Sequence, residues 1–368
     1  MYFSDTVECE DLREVLERFH AAHPTPYPSG PAETIGVDES RWSELAAMGA
    51  IAPQIDDALG GAGLPFEAFA VTVEAGGAVV SDLPLLASAA AAEALVRCGE
   101  SGAALLSEVA AGVKVAVALD DRCPWGTVVE SGVVAREHAG SWTLTGAKQL
   151  VAADLSAQTL LVLADAGPHR GLFAVSIGAA GATVTRTPRP ALDPTVPLLR
   201  LDLDGAPAAP LALGAGTDAI VADVLDRVWI GAAAELLGAA QAALDLALDV
   251  VTTRRQFGRP VGVNQAVKHR LADTHTTVSG LRSSVRYAAR RVGEPDAAAE
   301  VSWLAPLVVS LAIDAAVRSA NDAVQFSGAM GYTWEHHAHR YLNRAASAAA
   351  LFGSADSHRE TMLTRRGW

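Results

Sequence analysis

The sequence changes its repeat twice along its length, and these two changes constrain the fold more than any other feature. Between Val113 and about Pro210 it runs in β-branched stretches, among them VKVAVAL, SWTLTGAKQLV, QTLLVLAD, GLFAVSI and LLRLDLD, separated by Gly, Asp and Pro at short intervals. Short runs punctuated by turns in this way imply an antiparallel β domain. On both sides the spacing is helical. LREVLERF sets Leu12, Val15, Leu16 and Phe19 on one face, and EAFAVTVEAGGAVV and LPLLASAAAAEALVRCG continue the pattern to about Ala111. Helical spacing returns at Asp218, in segments near 218–254, 261–291, 296–327 and 338–350, whose lengths suit an antiparallel four-helix bundle. The expected fold is α+β and mostly α: an N-terminal helical domain (1–112), a middle antiparallel β domain (113–212) and a C-terminal bundle (213–368). Gly60, Gly61 and Gly63 with Pro65 interrupt the first helical region, and a loop on the ligand side is expected there.

Composition narrows the function classes. A formal charge of -14 argues against a nucleic-acid footprint, which needs basic residues gathered on one face. Cys9, Cys98 and Cys123 are odd in number and widely spaced, so reduced thiols are expected rather than a disulfide framework or a zinc site. His336, His337, His339 and His358 have no acidic or thiol residue at metal-ligand spacing, and no metal is expected. The start of the chain, MYFSDTVECEDLREVLERF, is acidic and amphipathic rather than basic and then apolar. The apolar stretch Leu85 to Val96 is broken by Ser88 and Glu93 and is shorter than the roughly 18 residues of a membrane span. A cytoplasmic protein without membrane attachment is therefore expected.

Three motifs carry chemistry: RRQFGRP (Arg254 to Pro260) followed by VGVNQAVKHRLAD, AVQFSGAMGYTWE (Ala323 to Glu335), and LFGSADSHRE (Leu351 to Glu360). The first combines a fixed cation, an aromatic expected to be buried, and a turn inside a helical region. In order and spacing the three resemble the C-terminal half of the acyl-CoA dehydrogenases, and the chain resembles that family from end to end. The resemblance implies an FAD enzyme that removes a proton from the carbon alpha to a thioester and passes hydride from the beta carbon to the flavin. Such chemistry needs a carboxylate in a dry pocket, the flavin over the beta carbon, and hydrogen bonds on the thioester oxygen. It further implies that Arg254, Phe257, Gln325 and Gly328 reach the ADP portion of a neighbouring subunit's FAD, where a guanidinium matches diphosphate oxygens two at a time. Asn264 stands where the family has phenylalanine, and Ala329 replaces a second glycine.

Other family features are missing. The loop and strand that clasp the flavin ring correspond to LDDRCPWG (Leu119 to Gly126) and KQLVAA (Lys148 to Ala153), where Leu150 replaces a ring-covering aromatic and Ala152 removes a hydroxyl. The family's catalytic glutamate has no counterpart, and its place is assigned to Gly353. A second family position for the base aligns near Val228, flanked by Asp226 and Glu235, while Glu335 and Asp356 are stray carboxylates elsewhere. Structural roles are expected for all four: Asp226 as a helix first-turn charge, Glu235 as a helix-surface or helix-contact carboxylate. Trp142, Trp229 and Trp303 are read as core or hairpin aromatics.

Retained cross-subunit residues with a missing base look like the smaller subunit of actinobacterial hetero-oligomeric acyl-CoA dehydrogenases. That resemblance implies a paralogous partner carrying the glutamate, an acyl-CoA substrate that can be as bulky as a steroid thioester, and an electron-transfer flavoprotein as a candidate acceptor. Two alternatives stand beside it: a self-sufficient homo-oligomeric flavoenzyme with a relocated base or a different oxidation, and a non-enzymatic pseudoenzyme that stabilises a paralogue.

Overall fold

A computed structural model describes residues 5–27, 36–120, 123–126 and 131–368. The N-terminal region holds α1 (Val7–Ala22), α2 (Glu39–Ala47), α3 (Phe66–Ala78), α4 (Leu85–Arg97) and α5 (Glu100–Ala110). The first two begin where side chains can satisfy free helical N–H groups. Thr6 accepts from the Cys9 amide at 3.3 Å, and Asp38 accepts from the Ser40 and Arg41 amides at 2.9 and 3.2 Å. The glycine loop at 60–63 packs beside α5, and none of its residues lines the interdomain cavity described below.

The β region comprises β1 (Val115–Ala118), β2 (Val133–His138), β3 (Ser141–Ala152), β4 (Thr159–Ala166), β5 (His169–Ser176), a one-turn α6 (Ile177–Ala180), β6 (Val184–Arg189) and β7 (Leu198–Leu213). Its pairings run β2–β3–β7–β5–β4 and return from β4 to β2, closing a ring of five strands, with β1 added on β4 and β6 on β7. Strands around a ring can alternate in direction throughout only if their number is even. With five, one neighbouring pair must be parallel, and it is β2 with β4; β1 also lies parallel to β4. The remaining pairings are antiparallel. Leu144, Leu160, Val162, Phe173 and Leu201 fill the interior.

The bundle follows: α7 (Thr217–Thr253), a hairpin of β8 (Arg255–Gln256) and β9 (Arg259–Pro260), α8 (Gln265–Val292), α9 (Ala298–Ser327), α10 (Ala338–Phe352) and α11 (Ala355–Arg365). Both α7 and α9 are long and apolar enough to cross a membrane by length and composition, but 50% and 61% of those stretches are buried inside the protein, as suits bundle-core helices. α7 also carries the N-terminal region. It packs against α3 where Gly77 faces the Glu235 backbone and Gly238 faces the Glu74 backbone, so closely that an added Cβ at either glycine would collide with a carbonyl.

Candidate functional site

The motif residues gather at the hairpin end of the bundle. Arg254 terminates α7: its amide donates to Val250 O at 2.9 Å and its carbonyl accepts from the Val261 amide at 3.0 Å. Its guanidinium lies across the end of α9, where Nη1 donates long hydrogen bonds to Phe326 O (3.5 Å) and Ser327 O (3.4 Å). Gly328 sits directly beneath it, with φ +67°, and a Cβ there would lie 2.9 Å from Nη1. Carbonyls at a helix C-terminus favour a cation without cancelling its charge. From residue 250 to 272 the chain has five lysines and arginines and no acidic residue, within a chain of net charge -14. Gln325 is exposed and lines a surface depression of about 490 Å³ together with Val267, Arg270, Tyr332 and Leu342.

Phe257 departs from expectation. It is 99% exposed at the tip of the hairpin. Phe257 and Gly258 both have positive φ (52° and 80°), the geometry of a two-residue type I′ turn. The turn fixes the ring pointing away from the bundle, so nothing in its own chain buries it. Arg254, Gln325 and Gly328 therefore come together at the end of α9, while Phe257 projects from the tip.

A second site lies where the N-terminal helices, the β domain and the bundle meet. It is a cavity of about 60 Å³ whose walls include Leu83, Trp125, Ala152, Glu235, Arg344 and Phe352. Pockets that hold a cofactor or substrate have roughly 300 to 1,000 Å³. The β-domain loop that corresponds to the flavin clasp is joined directly to the bundle: the Trp125 amide donates to Leu351 O at 2.9 Å, and Trp229 Nε1 donates to Trp125 O at 2.6 Å. Asp121 and Arg122 of that loop lie outside the described residues. On the clasp strand, Ala152 lines the cavity while Leu150 does not, and fully buried Lys148 donates to Leu119 O at 2.8 Å. Among the described residues this space is well below the range of cofactor pockets, whereas the Arg254 guanidinium, which has no carboxylate partner among them, suits a diphosphate.

Gly353, the position assigned to the family's base, faces away from the cavity. Gly353, with φ +99°, is turned toward α11, where a Cβ would meet His358 Nε2 and Ser357 Oγ at 3.4 Å, and it does not line the cavity. Phe352 does. His358 is buried against Trp229, with ring centroids 4.8 Å apart. Burial lowers its pKa, opposed by the hydrogen bond to Phe352 O at 2.8 Å, in which Nε2 donates and fixes the end of α10.

Of the four carboxylates singled out, only Glu235 reaches the cavity. It is not free. Arg344, 2% exposed, donates to Glu235, Asp193, Ser81 O (3.0 Å) and Thr195 Oγ1 (2.7 Å), tying the N-terminal region, the β domain and α7 to α10. Burial raises the Glu235 pKa and Arg344 opposes the shift. Asp226 is buried elsewhere, 2.5 Å from Arg365 Nη1, and burial pushes it up to about 6 against that arginine's pull. Glu335 is exposed, and Asp356 is 93% exposed beside Arg359 at 2.6 Å. Among the described residues, no three His, Cys, Asp or Glu side chains converge on a metal-sized site. All three cysteines are free. Sequence reasoning missed Arg344, Asp193 and Trp125. The two members of the Arg344–Asp193 pair are 151 positions apart, and no periodicity or motif links them.

A helical region, a β ring and a helical bundle in this order are the architecture that the resemblance implied, and the comparisons with known proteins agree. Residues 6–112 match the acyl-CoA dehydrogenase N-terminal domain, and residues 214–366 match the acyl-CoA dehydrogenase C-terminal domain. The acyl-CoA dehydrogenase IpdE2 of Mycobacterium tuberculosis is 30% identical over 353 residues, covering 94% of this chain and 93% of that protein. Two solved structures are each 26% identical. The ChsE4-ChsE5 complex from Mycobacterium tuberculosis has a TM-score of 0.85 over 100% of this chain and 99% of the matched one. A variant of the Tcur3481-Tcur3483 steroid ACAD has a TM-score of 0.84 over 98% of each chain. This chain belongs to the acyl-CoA dehydrogenase family, whose members are oxidoreductases acting on CH–CH groups.

Proposed function

We propose that this chain is the base-lacking subunit of a hetero-oligomeric, FAD-dependent acyl-CoA dehydrogenase. A paralogous partner holds the flavin ring and the catalytic glutamate, and this chain lends Arg254, Gln325 and Phe257 to the ADP portion of the partner's FAD. The complex carries out α,β-desaturation of an acyl-CoA to an enoyl-CoA; a bound FAD would supply the hydride acceptor, and the partner's carboxylate would supply the base. An electron-transfer flavoprotein is the natural class of acceptor. A bulky acyl group such as a steroid side-chain thioester is the favoured substrate class, since the matched steroid ACAD is described by that substrate.

The observation that carries this reading is the contrast between the two sites. The guanidinium of Arg254 is held by carbonyls and keeps its charge for an anion, while the chain's own interdomain cavity has about 60 Å³ and, of the candidate base carboxylates, only Glu235, paired with Arg344, at its wall. The matched ChsE4-ChsE5 complex lends support as an assembly of two different chains. Glu235 is the one feature that favours a self-sufficient enzyme, because it lines the cavity; its carboxylate is taken up by Arg344.

The test is to purify the complex with its paralogous chain and replace Arg254 by alanine. Losing a charge-assisted contact should lower FAD affinity about tenfold or more, with turnover restored by excess FAD. Unchanged flavin retention would remove this chain from the flavin site. A collapse of turnover in Glu235→Gln with flavin retained would move the base onto this chain.

A further inference from the structure

We infer that Gly328 is a positioning residue rather than a flavin contact: its missing side chain is what allows the Arg254 guanidinium to rest on the end of α9, aimed outward. This inference rests on the proposed cross-subunit role of Arg254.

The backbone of Arg254 is pinned from both sides, by its own amide to Val250 O and by the Val261 amide to its carbonyl. Its side chain lies over residue 328. Nη1 reaches Phe326 O and Ser327 O only by passing within 2.9 Å of where a Cβ would stand. Such a contact is shorter than real Cβ atoms tolerate, so a larger residue displaces the guanidinium; the shift itself costs little at the end of a flexible side chain, and its consequence is that Nη1 leaves the α9 carbonyls. The conformation points the same way. Gly328 ends α9 with φ 67° and ψ -141°, a combination reserved for glycine. The chain therefore takes an uncommon turn at the position where the side-chain space is needed. Among the described residues no carboxylate pairs with Arg254; the last-turn carbonyls orient it while its charge stays available for an anion.

The experiment is a double-mutant cycle on the mixed complex, reading FAD affinity for wild type, Arg254→Ala, Gly328→Ala and the double variant, each at low and high salt. The expected result is that each single change lowers affinity about tenfold, that the double variant is no worse than the poorer single, and that both singles flatten the salt dependence equally. Multiplied effects in the double variant, or wild-type affinity in Gly328→Ala, would overturn the inference while leaving the Arg254 role standing. Wild-type affinity in Arg254→Ala would instead overturn the proposed function itself. If Gly328→Ala fails to assemble, Arg254→Lys decides: an ammonium lacks the planar fork that spans the α9 carbonyls, so most of the affinity should be lost, and full retention would contradict a positioned guanidinium.

Discussion

Phe257 combines two costs at one residue. A bulky aromatic at positive φ is strained, and a ring that is 99% exposed forgoes the stabilisation of burial. Asn is favoured in the first position of this turn. Phe257→Asn should therefore raise the stability of the isolated chain by about 1 kcal/mol while weakening assembly with a partner, measured by urea unfolding of the single chain and by sedimentation of the mixture. A lone chain destabilised by the change would show that the ring packs within its own subunit. Asp226 gives a pH signature. Its folded pKa of about 6 lies above the ordinary 3.8, so its contribution to stability is fully present below about pH 4 and is lost as pH rises through 6. Relative to Asp226→Asn, wild type should lose urea stability between about pH 4 and pH 7; an identical pH dependence in both proteins would contradict the burial. At this scale motif spacing singled out Arg254, Gln325 and Gly328, which the fold brings together at the end of α9. The exposure of Phe257 was not, because apolarity in a sequence does not say which chain will cover the residue. That Gly353 faces α11 and Phe352 the cavity needed the direction of a Cα–Cβ bond, which sequence spacing does not give.

Among the elements, the helical spacing was sufficient to locate α7, α8, α9 and α10 close to their observed limits, because each buries one apolar face over many turns. The hairpin between α7 and α8 was concealed within that spacing, since two strands of two residues have no periodicity to read. The parallel β2–β4 pair was hidden for a different reason: it follows from the number of strands in a closed ring, and closure is a long-range property. The contact of α3 with α7 depends on Gly77 and Gly238, where no side chain fits between the backbones. Gly238→Ala should force these helices apart and lower stability by about 1 to 3 kcal/mol or more, read as a drop in melting temperature. An unaltered melting temperature would mean that the two helices are not in backbone contact.

On the scale of the whole molecule, buried Arg344 joins all three parts of the chain around a cleft that is nearly closed. Removing one member of a buried ionic cluster leaves the others uncompensated. Arg344→Met should cost about 3 to 5 kcal/mol, whereas Glu235→Gln, which keeps a hydrogen-bonding group, should cost less. The hub draws on Ser81, Asp193, Thr195, Glu235 and Arg344, so its existence could be known only once the chain had folded. The same closure bears on flavin. Under the proposed division of labour the small interdomain space holds no isoalloxazine, and the charged hairpin end serves a neighbouring chain. The most direct measurement is the visible absorbance spectrum of this chain purified alone, scaled to protein concentration, set beside that of the complex with its paralogue. The account predicts a colourless single chain and a yellow complex with one FAD for each pair of chains. Flavin bands at about one FAD per chain in the isolated protein would contradict it.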